Sequence, residues 1–352
     1  MEKTSCMAAL TYGEVVADLP LVERAARDRM LALPPTTETH RTLLAATPAL
    51  QFVEAGGTAT AAKSWPLCIA CWNAQRFHRF DAGCTLIRSA AADVVLLSEL
   101  DIGMARTGQR HCLRDAAAAL GGCYVFGAEF LELGLGDDEE QRRCAGLANE
   151  IGLHGNGILS NLALATSVLI RLETDGDWFD GDRGERRVGG RCAVAASIAV
   201  GGEKALFVSV HLESHSDPAQ RAEQMRRLFD AVDAIAPTGP VVIGGDLNTS
   251  TLAHGDPFDL AAALRDDPNR LVRPERYEPL FDLARARGYA WSDANAAGPT
   301  ERTAEAAPPP LAHIDWFLIR GLRASAPAIV PAVDPQGTII SDHEMIVVTL
   351  AA

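Results

Sequence analysis

Long apolar runs are missing from this chain of 352 residues: nothing reaches the roughly 18–20 consecutive apolar residues of a membrane-spanning helix. The first residues, MEKTSCMAALTYGEVVADLP, also lack the basic segment and apolar stretch of a secretory signal. The eight cysteines therefore read as reduced thiols in a cytoplasmic protein, not as a disulfide framework. One C-x-x-C occurs, at Cys68 and Cys71 within LCIACWN; residues three apart in a strand face opposite sides, so the pair reads as core packing. Tight Cys/His spacing is otherwise absent, which excludes a closed zinc site. Neither G-x-x-x-x-G-K-[ST] nor G-x-S-x-G occurs, and no G-x-G-x-x-G follows a strand-like run. P-loop, serine-hydrolase and dinucleotide chemistry are thereby set aside. Positive charge is short as well: 32 Lys and Arg face 46 Asp and Glu, for a net charge of −14. Long nucleic acid is usually gripped by a basic stripe, and only small clusters appear here, around Arg183–Arg191 and Arg221–Arg227. The charge disfavours nucleic acid as a partner and favours a small substrate.

What remains is a globular composition, 48% hydrophobic and 22% charged. Residues 1–62 read as an N-terminal helical extension and linker. Helical spacing over 18–33 stops at Pro34-Pro35, a second short helix fits 36–46, and AGGTATAA at 55–62 reads as the linker. Residues 63–352 read as one domain. Strands are expected over 67–73, 93–99, 123–130, 158–160, 163–169, 192–200, 205–211, 241–244, 314–319 and 346–350. Helices are expected over 78–92, 110–120 and 217–235, the last with Pro218 in its first turn. Residues 134–154 form an acidic, glycine-containing insert that reads as a lid, and AEAAPPP at 304–310 reads as a loop. Many strands, few helices and unequal connections fit two packed sheets with helices outside better than a regular βαβ alternation.

Polar residues fall at the ends of the apolar runs. Asn73 follows IACW, Glu99 follows VVLLS, and His211 follows LFVSV; Asp246 and Asn248 follow VVIGG, Asp315 sits in HIDWFLI, and Asp342-His343 precede EMIVV. Any one of these has an ordinary use, since Asn and Asp make turns, Glu ends strands and His packs in cores. Six such sites in one domain, all carboxylate, amide or imidazole, weaken that reading. Hard oxygen donors mixed with amides suit Mg²⁺ or Mn²⁺, which keep several waters and share phosphate oxygens. Transfer of a phosphoryl group to water needs charge neutralisation, an oriented nucleophile and an assisted leaving oxygen, and this residue set can supply all three.

In this order the motifs resemble the endonuclease/exonuclease/phosphatase superfamily, over roughly residues 66–350. WNAQ at 72–75 resembles its opening Asn motif, LLSEL at 96–100 its metal-binding Glu motif, and GNGILS at 155–160 its central strand. SVHLES at 209–214 is similar to the T-H-L motif of the deoxyribonuclease and sphingomyelinase branches, and GGDLN at 244–248 to G-D-[FLM]-N. HIDWFLI at 313–319 and SDH at 341–343 are similar to the closing motifs. The resemblance implies a four-layer α/β sandwich, two packed mixed β-sheets flanked by helices, with the motifs converging at one edge. It implies Glu99 as the main Mg²⁺ ligand (Mn²⁺ as an alternative), assisted by Asn73 and by Asp342 through water. Asp246 and Asn248 would orient the attacking water, His343 paired with Asp315 would be base or phosphate-contacting imidazolium, and His211 would donate to the scissile phosphate. Ser98 replaces the usual Gln before the Glu, and Gln75 departs from the Asp of AP endonucleases, which puts a second metal contact in doubt. Arg76, Asn156, Arg191 and His215 are candidate substrate contacts, each with a surface, turn, ion-pair or cap role as its alternative. The function expected is metal-dependent hydrolysis of a small phosphodiester or phosphomonoester. An endo- or exonuclease is the second reading, and a retired binding protein of the same fold the third.

Overall fold

Short apolar runs broken by glycine and turn residues make strands, and the computed structural model, which describes residues 10–59, 62–182, 184–249, 260–303 and 311–352, contains fifteen among them. In chain order these are β1 Leu10–Tyr12, β2 Val15–Val16, β3 Val53–Gly57, β4 Leu67–Arg76, β5 Val94–Ile102, β6 Cys123–Glu132, β7 Leu153–Ser160 and β8 Leu164–Arg171. They continue with β9 Arg187–Gly189, β10 Cys192–Val200, β11 Glu203–His211, β12 Val241–Asp246, β13 Asp315–Arg320, β14 Arg323–Val330 and β15 Met345–Ala351. The α-helices are α1 Arg24–Leu31, α2 Thr37–Ala45, α3 Phe80–Ala90, α4 Cys112–Leu120, α5 Asp138–Arg143, α6 Pro218–Ile235, α7 Leu260–Asp266 and α8 Pro279–Ala286.

The strands form two mixed sheets. One runs β1-β8-β10-β11-β12-β13; the other runs β14-β15-β4-β5-β7-β6-β3-β2, with β9 added beside β6. Ile69, Leu96 and Ile158 from the larger sheet meet Val194, Phe207 and Phe317 from the smaller, and this inner layer is almost wholly apolar. On the outer faces, Ile87 of α3 and Leu113 of α4 cover Trp72 and Leu97, while Phe229 of α6 and Phe281 of α8 cover Val210 and Leu318. The molecule is thus the expected four-layer α/β sandwich, two mixed sheets flanked by helices. Cys71 lies in the inner layer and Cys68 is half-buried against α3, as a strand's alternation requires.

Each sheet has a central parallel pair, β4/β5 joined through α3 and β11/β12 joined through α6, and the larger sheet adds the short parallel pair β2/β3 at its edge. A parallel pair needs such a crossover, and the helix it supplies becomes the outer layer. Helix α6 starts where the sequence says it must: the Asp217 carboxylate accepts the Gln220 N–H, Gln220 answers to the Asp217 N–H, and Pro218 fills the first turn. Gly244 of β12 lets the sheets close, since a Cβ there would stand 2.7 Å from Leu96 Cδ1. That closeness brings the ends of both central parallel pairs to one place.

Residues 1–62 are not a helical extension on a linker. Helices α1 and α2 do form, but β3 runs into the supposed linker and pairs with β6 from Val53 to Gly57, β2 pairs with β3, and β1 pairs with β8. The glycines that read as a linker serve close packing instead, with Gly56 lying against the Tyr124 ring. The insert at 134–154 is also fastened down: α5 is capped by Asp137 and anchored by the buried Glu140, and the segment runs directly into β7. The 304–310 loop lies outside the described residues.

Candidate active site

Strand register delivers the site. Pairing of β11 with β12 sets His211 beside Asp246, and pairing of β12 with β13 sets Asp246 beside Asp315, so three strand-end residues stand in one row. In the other sheet β4 sets Asn73 beside Ser98, and Glu99 follows in a bulge where the β5/β7 register slips between Leu97 and Leu100. Glu99 has φ 53°, and Asn248, at the end of the opposite row, has φ 48°. Left-handed backbone at a side chain other than glycine costs about 1–2 kcal/mol and persists only where its surroundings impose it. The bulge takes Glu99 out of the strand's alternation and re-aims it at the row.

Asn73 joins the two halves: its Nδ2 donates to Glu99 Oε1 at 3.1 Å and to Asp246 Oδ2 at 3.1 Å, while its Oδ1 accepts from Gln75 N. His343 Nδ1 lies 2.9 Å from Asp315 Oδ2, and its Nε2 is 3.7 Å from Asp246 Oδ2. His211 Nε2 approaches the same Asp246 oxygen from the other side, at 3.5 Å. The turn before β15 is pinned to β4 by Ser341 Oγ donating to Asn73 O and Trp72 Nε1 donating to His343 O. Asn248 N donates to Asp246 Oδ1 at 2.9 Å, and its amide donates to Leu212 O.

Burial alone would discharge these groups, and their charges decide otherwise. Burial disfavours a His343 cation, yet Asp315 and Asp246 hold the imidazolium well above its ordinary range. Burial pushes the Asp246 carboxyl up, and Asp315 beside it adds to the push. Against burial, Arg76 and then His211 hold Glu99 well below the carboxylate range. Asp342 is exposed at the rim, but desolvation by the cleft walls and the nearby Glu99 push its carboxyl up. Ligand-type atoms of Asp246, Asp315 and His343 fall within 4.8 Å of one another. Within the trio His343 carries a proton beside Asp315 and Asp246, so the carboxylate oxygens are the lone pairs it offers a cation. Glu99 and Asp342 stand beside the trio as hard oxygen donors of the kind a divalent cation takes, close enough that the Glu99 charge helps push the Asp342 carboxyl up. Asn73, as its hydrogen bonds orient it, shows the carboxylates N–H and not oxygen, so it braces Glu99 where the resemblance made it a ligand.

A family model described as Endonuclease/Exonuclease/phosphatase family matches residues 70–343. The chain belongs to the endonuclease/exonuclease/phosphatase family. Among solved structures it is similar to an endonuclease/exonuclease/phosphatase from Beutenbergia cavernae, at 19% identity, 81% coverage of this chain, 71% of that chain and a TM-score of 0.57. A functionally unknown conserved protein from Enterococcus faecalis gives 16%, 81%, 100% and 0.54, and the human Nocturnin catalytic domain with bound sulfate gives 14%, 86%, 98% and 0.51. At these identities the likeness shows the fold alone. No curated protein matches the chain.

Within this family's site the substrate candidates separate. Arg76 is at the centre: Nη1 donates to Glu99 Oε2 at 2.6 Å, and the chain from Gln75 to Phe77 is left-handed throughout. It lines a cleft of about 640 Å³ with His78, Arg79, Arg143, Arg302 and Asp342. Arg191 does not reach that cleft. It is buried, with Nε on Glu213 Oε2 at 3.1 Å and Nη1 at 2.9 Å from His211 Nδ1, so it positions His211. Arg187 pairs with Glu132 and Glu185. Asn156 is fully buried and donates to Glu129 Oε1 and Cys192 O, which makes it an inter-sheet strut one layer behind the row. His215 stands half-exposed, edge-on to Trp178 and near Glu213, outside the row; the cap of α6 beside it is Asp217. Glu129, Glu213, Asp101 and His154 were not singled out from the sequence, yet each is buried in the ion network behind the site. Their signal was there: a Glu between Ala128 and Phe130 in an apolar strand must find a buried cation.

Proposed function

We propose that this chain is a divalent-metal-dependent phosphoesterase that cleaves a P–O bond in a small phosphorylated substrate by attack of water. The observation that carries the reading is the single hydrogen-bonded row in which Asn73 links Glu99 to Asp246, flanked by His211 and the His343–Asp315 pair. A Mg²⁺ or Mn²⁺ held by Glu99, with Asp342 through water, would supply charge neutralisation on a phosphoryl oxygen. Asp246, its carboxylate made more basic by burial, accepts the proton of the attacking water, while Asn248 N holds the other Asp246 oxygen in place. His343 is an imidazolium and so acts as donor to the phosphate, not as base; Asp315 fixes its orientation and its charge. His211 approaches the row from the far side, steered by Arg191. The cleft of about 640 Å³ beside Asp342 and the net charge of −14 support a small phosphate ester over a duplex.

The test is hydrolysis of bis-p-nitrophenyl phosphate and p-nitrophenyl phosphate by EDTA-stripped protein, with and without Mg²⁺ or Mn²⁺. Turnover is expected only with metal, is expected to vanish in Glu99→Ala, and to fall about 10²–10⁴-fold in kcat in His343→Ala. Undiminished metal-dependent turnover by Glu99→Ala would remove Glu99 from the metal site and sink this reading.

A further inference from the structure

Both oxygens of the Glu99 carboxylate are already engaged. Oε1 accepts from Asn73, and Oε2 lies 2.6 Å from Arg76 Nη1. The Arg76 contact is the charged one, and it is mostly shielded from solvent, with side-chain exposures of 20% and 18%. A cation that takes Glu99 must therefore displace or share with a guanidinium. The same guanidinium has a second carboxylate within reach: Arg76 Nε is 3.0 Å from Glu140 Oε1, without the alignment of a hydrogen bond. Glu140 belongs to α5 of the insert and is itself held by Arg106 at 3.0 Å, with His78 Nε2 at 3.6 Å. Arg76 thus stands between an acceptor in the active site and an acceptor in the insert, on backbone that is left-handed at three successive residues.

We propose that Arg76 is a tethered cation that competes with the divalent metal for Glu99, and that Glu140 of the insert is the alternative partner that receives it. The proposal rests on the metal-binding reading of Glu99. Charge-assisted contacts at this distance and burial are strong, so the competition is large enough to set the affinity of the site. Release of Arg76 from Glu99 leaves its guanidinium paired with Glu140 at the wall of the cleft, where it also faces an incoming phosphate. Metal occupancy and anion binding then favour one another, because each removes Arg76 from Glu99.

The test is Mn²⁺ binding to the full chain, read from the electron paramagnetic resonance signal of free Mn²⁺, which does not depend on turnover. Arg76→Ala and Arg76→Gln are both expected to tighten Mn²⁺ binding about tenfold or more, the Gln variant keeping most of the packed stem. Arg79→Ala removes the same charge from the same cleft without removing a partner of Glu99, and is expected to change the affinity less than about twofold. Glu140→Gln, which takes away the alternative acceptor, is expected to weaken Mn²⁺ binding. If the Arg76 variants bind Mn²⁺ no more tightly than Arg79→Ala while Glu99→Ala loses binding, the competition is overturned and the proposed function stands. If neither the wild type nor the Arg76 variants bind Mn²⁺, the metal reading of Glu99 fails and takes this proposal with it.

Discussion

A carboxyl buried without a cation keeps its proton, and Glu173 is that case. It sits just beyond β8, nearly inaccessible, with Oε1 accepting the backbone N–H groups of Asp175 and Gly176. Burial first, and then the charge of Asp177, push its carboxyl up to about 7. A folded value above the unfolded one means that the native state binds the proton more tightly. The stability this confers is complete below about pH 4.5 and is lost as pH rises through 7. A shift of that size is worth about 3 kcal/mol. Glu173→Gln keeps an acceptor for both N–H groups and has no proton to lose. Relative to the wild type, it is expected to be more stable by up to about 3 kcal/mol at pH 8 and by little at pH 4.5. Urea denaturation of both proteins across that range checks it, and a difference that stays flat with pH would show that Glu173 is charged in the fold.

Among the elements, β12 carries the tightest constraint on the site. A Cβ on Gly245 would lie 1.7 Å from Val210 O of β11, a backbone atom that cannot turn aside. Gly245→Ala therefore has to part the two strands whose pairing sets His211 beside Asp246. The expected outcome is a loss of about 3 kcal/mol or more in urea denaturation, together with loss of phosphoesterase turnover. A variant with wild-type stability and rate would mean that the row tolerates a shifted register. The strands of this region were legible because apolar runs end in lone polar residues, and VVIGGD shows both features at once. The bulge at Glu99 was not legible: LLSELDI alternates like any strand, and the extra residue shows only against its partners. Nor was β14, whose RASAPAIV is exposed at half of its positions and has no buried face to impose alternation. The ion network behind the site was hidden for another reason. Spacing along β6 does not reveal that Glu129 and Glu132 find Arg191 and Arg187 across other strands.

At the scale of the whole molecule, the arm is where sequence and structure part most. AGGTATAA reads as a linker because its glycines conceal the end of the strand that starts at Val53, yet that strand's edge is where the larger sheet closes. Glu54 of β3 accepts from Tyr124 Oη at 2.8 Å and is met by His111 and Arg114 of the α4 turn. Against its burial, His111 first, then the Leu19 N–H and Tyr124, hold the carboxyl down to about 2. Arg171, fully buried at the end of β8, donates to Leu50 O of the arm as well as to Ala128, Glu129 and Gly190 carbonyls. His40 of α2 reaches Thr174 O and Gly189 O. A chain of residues 63–352 would leave the β6 edge unpaired from Cys123 to Gly127, the Arg171 guanidinium short of an acceptor, and Tyr124 without Glu54. Each stranded buried group costs about 1–3 kcal/mol, and an open edge invites association. The shortened chain is therefore expected to unfold at markedly lower urea than the full one and to self-associate on sizing. An unchanged midpoint in a monomeric 63–352 chain would show that the arm is a separable extension after all, and that the two sheets close without it.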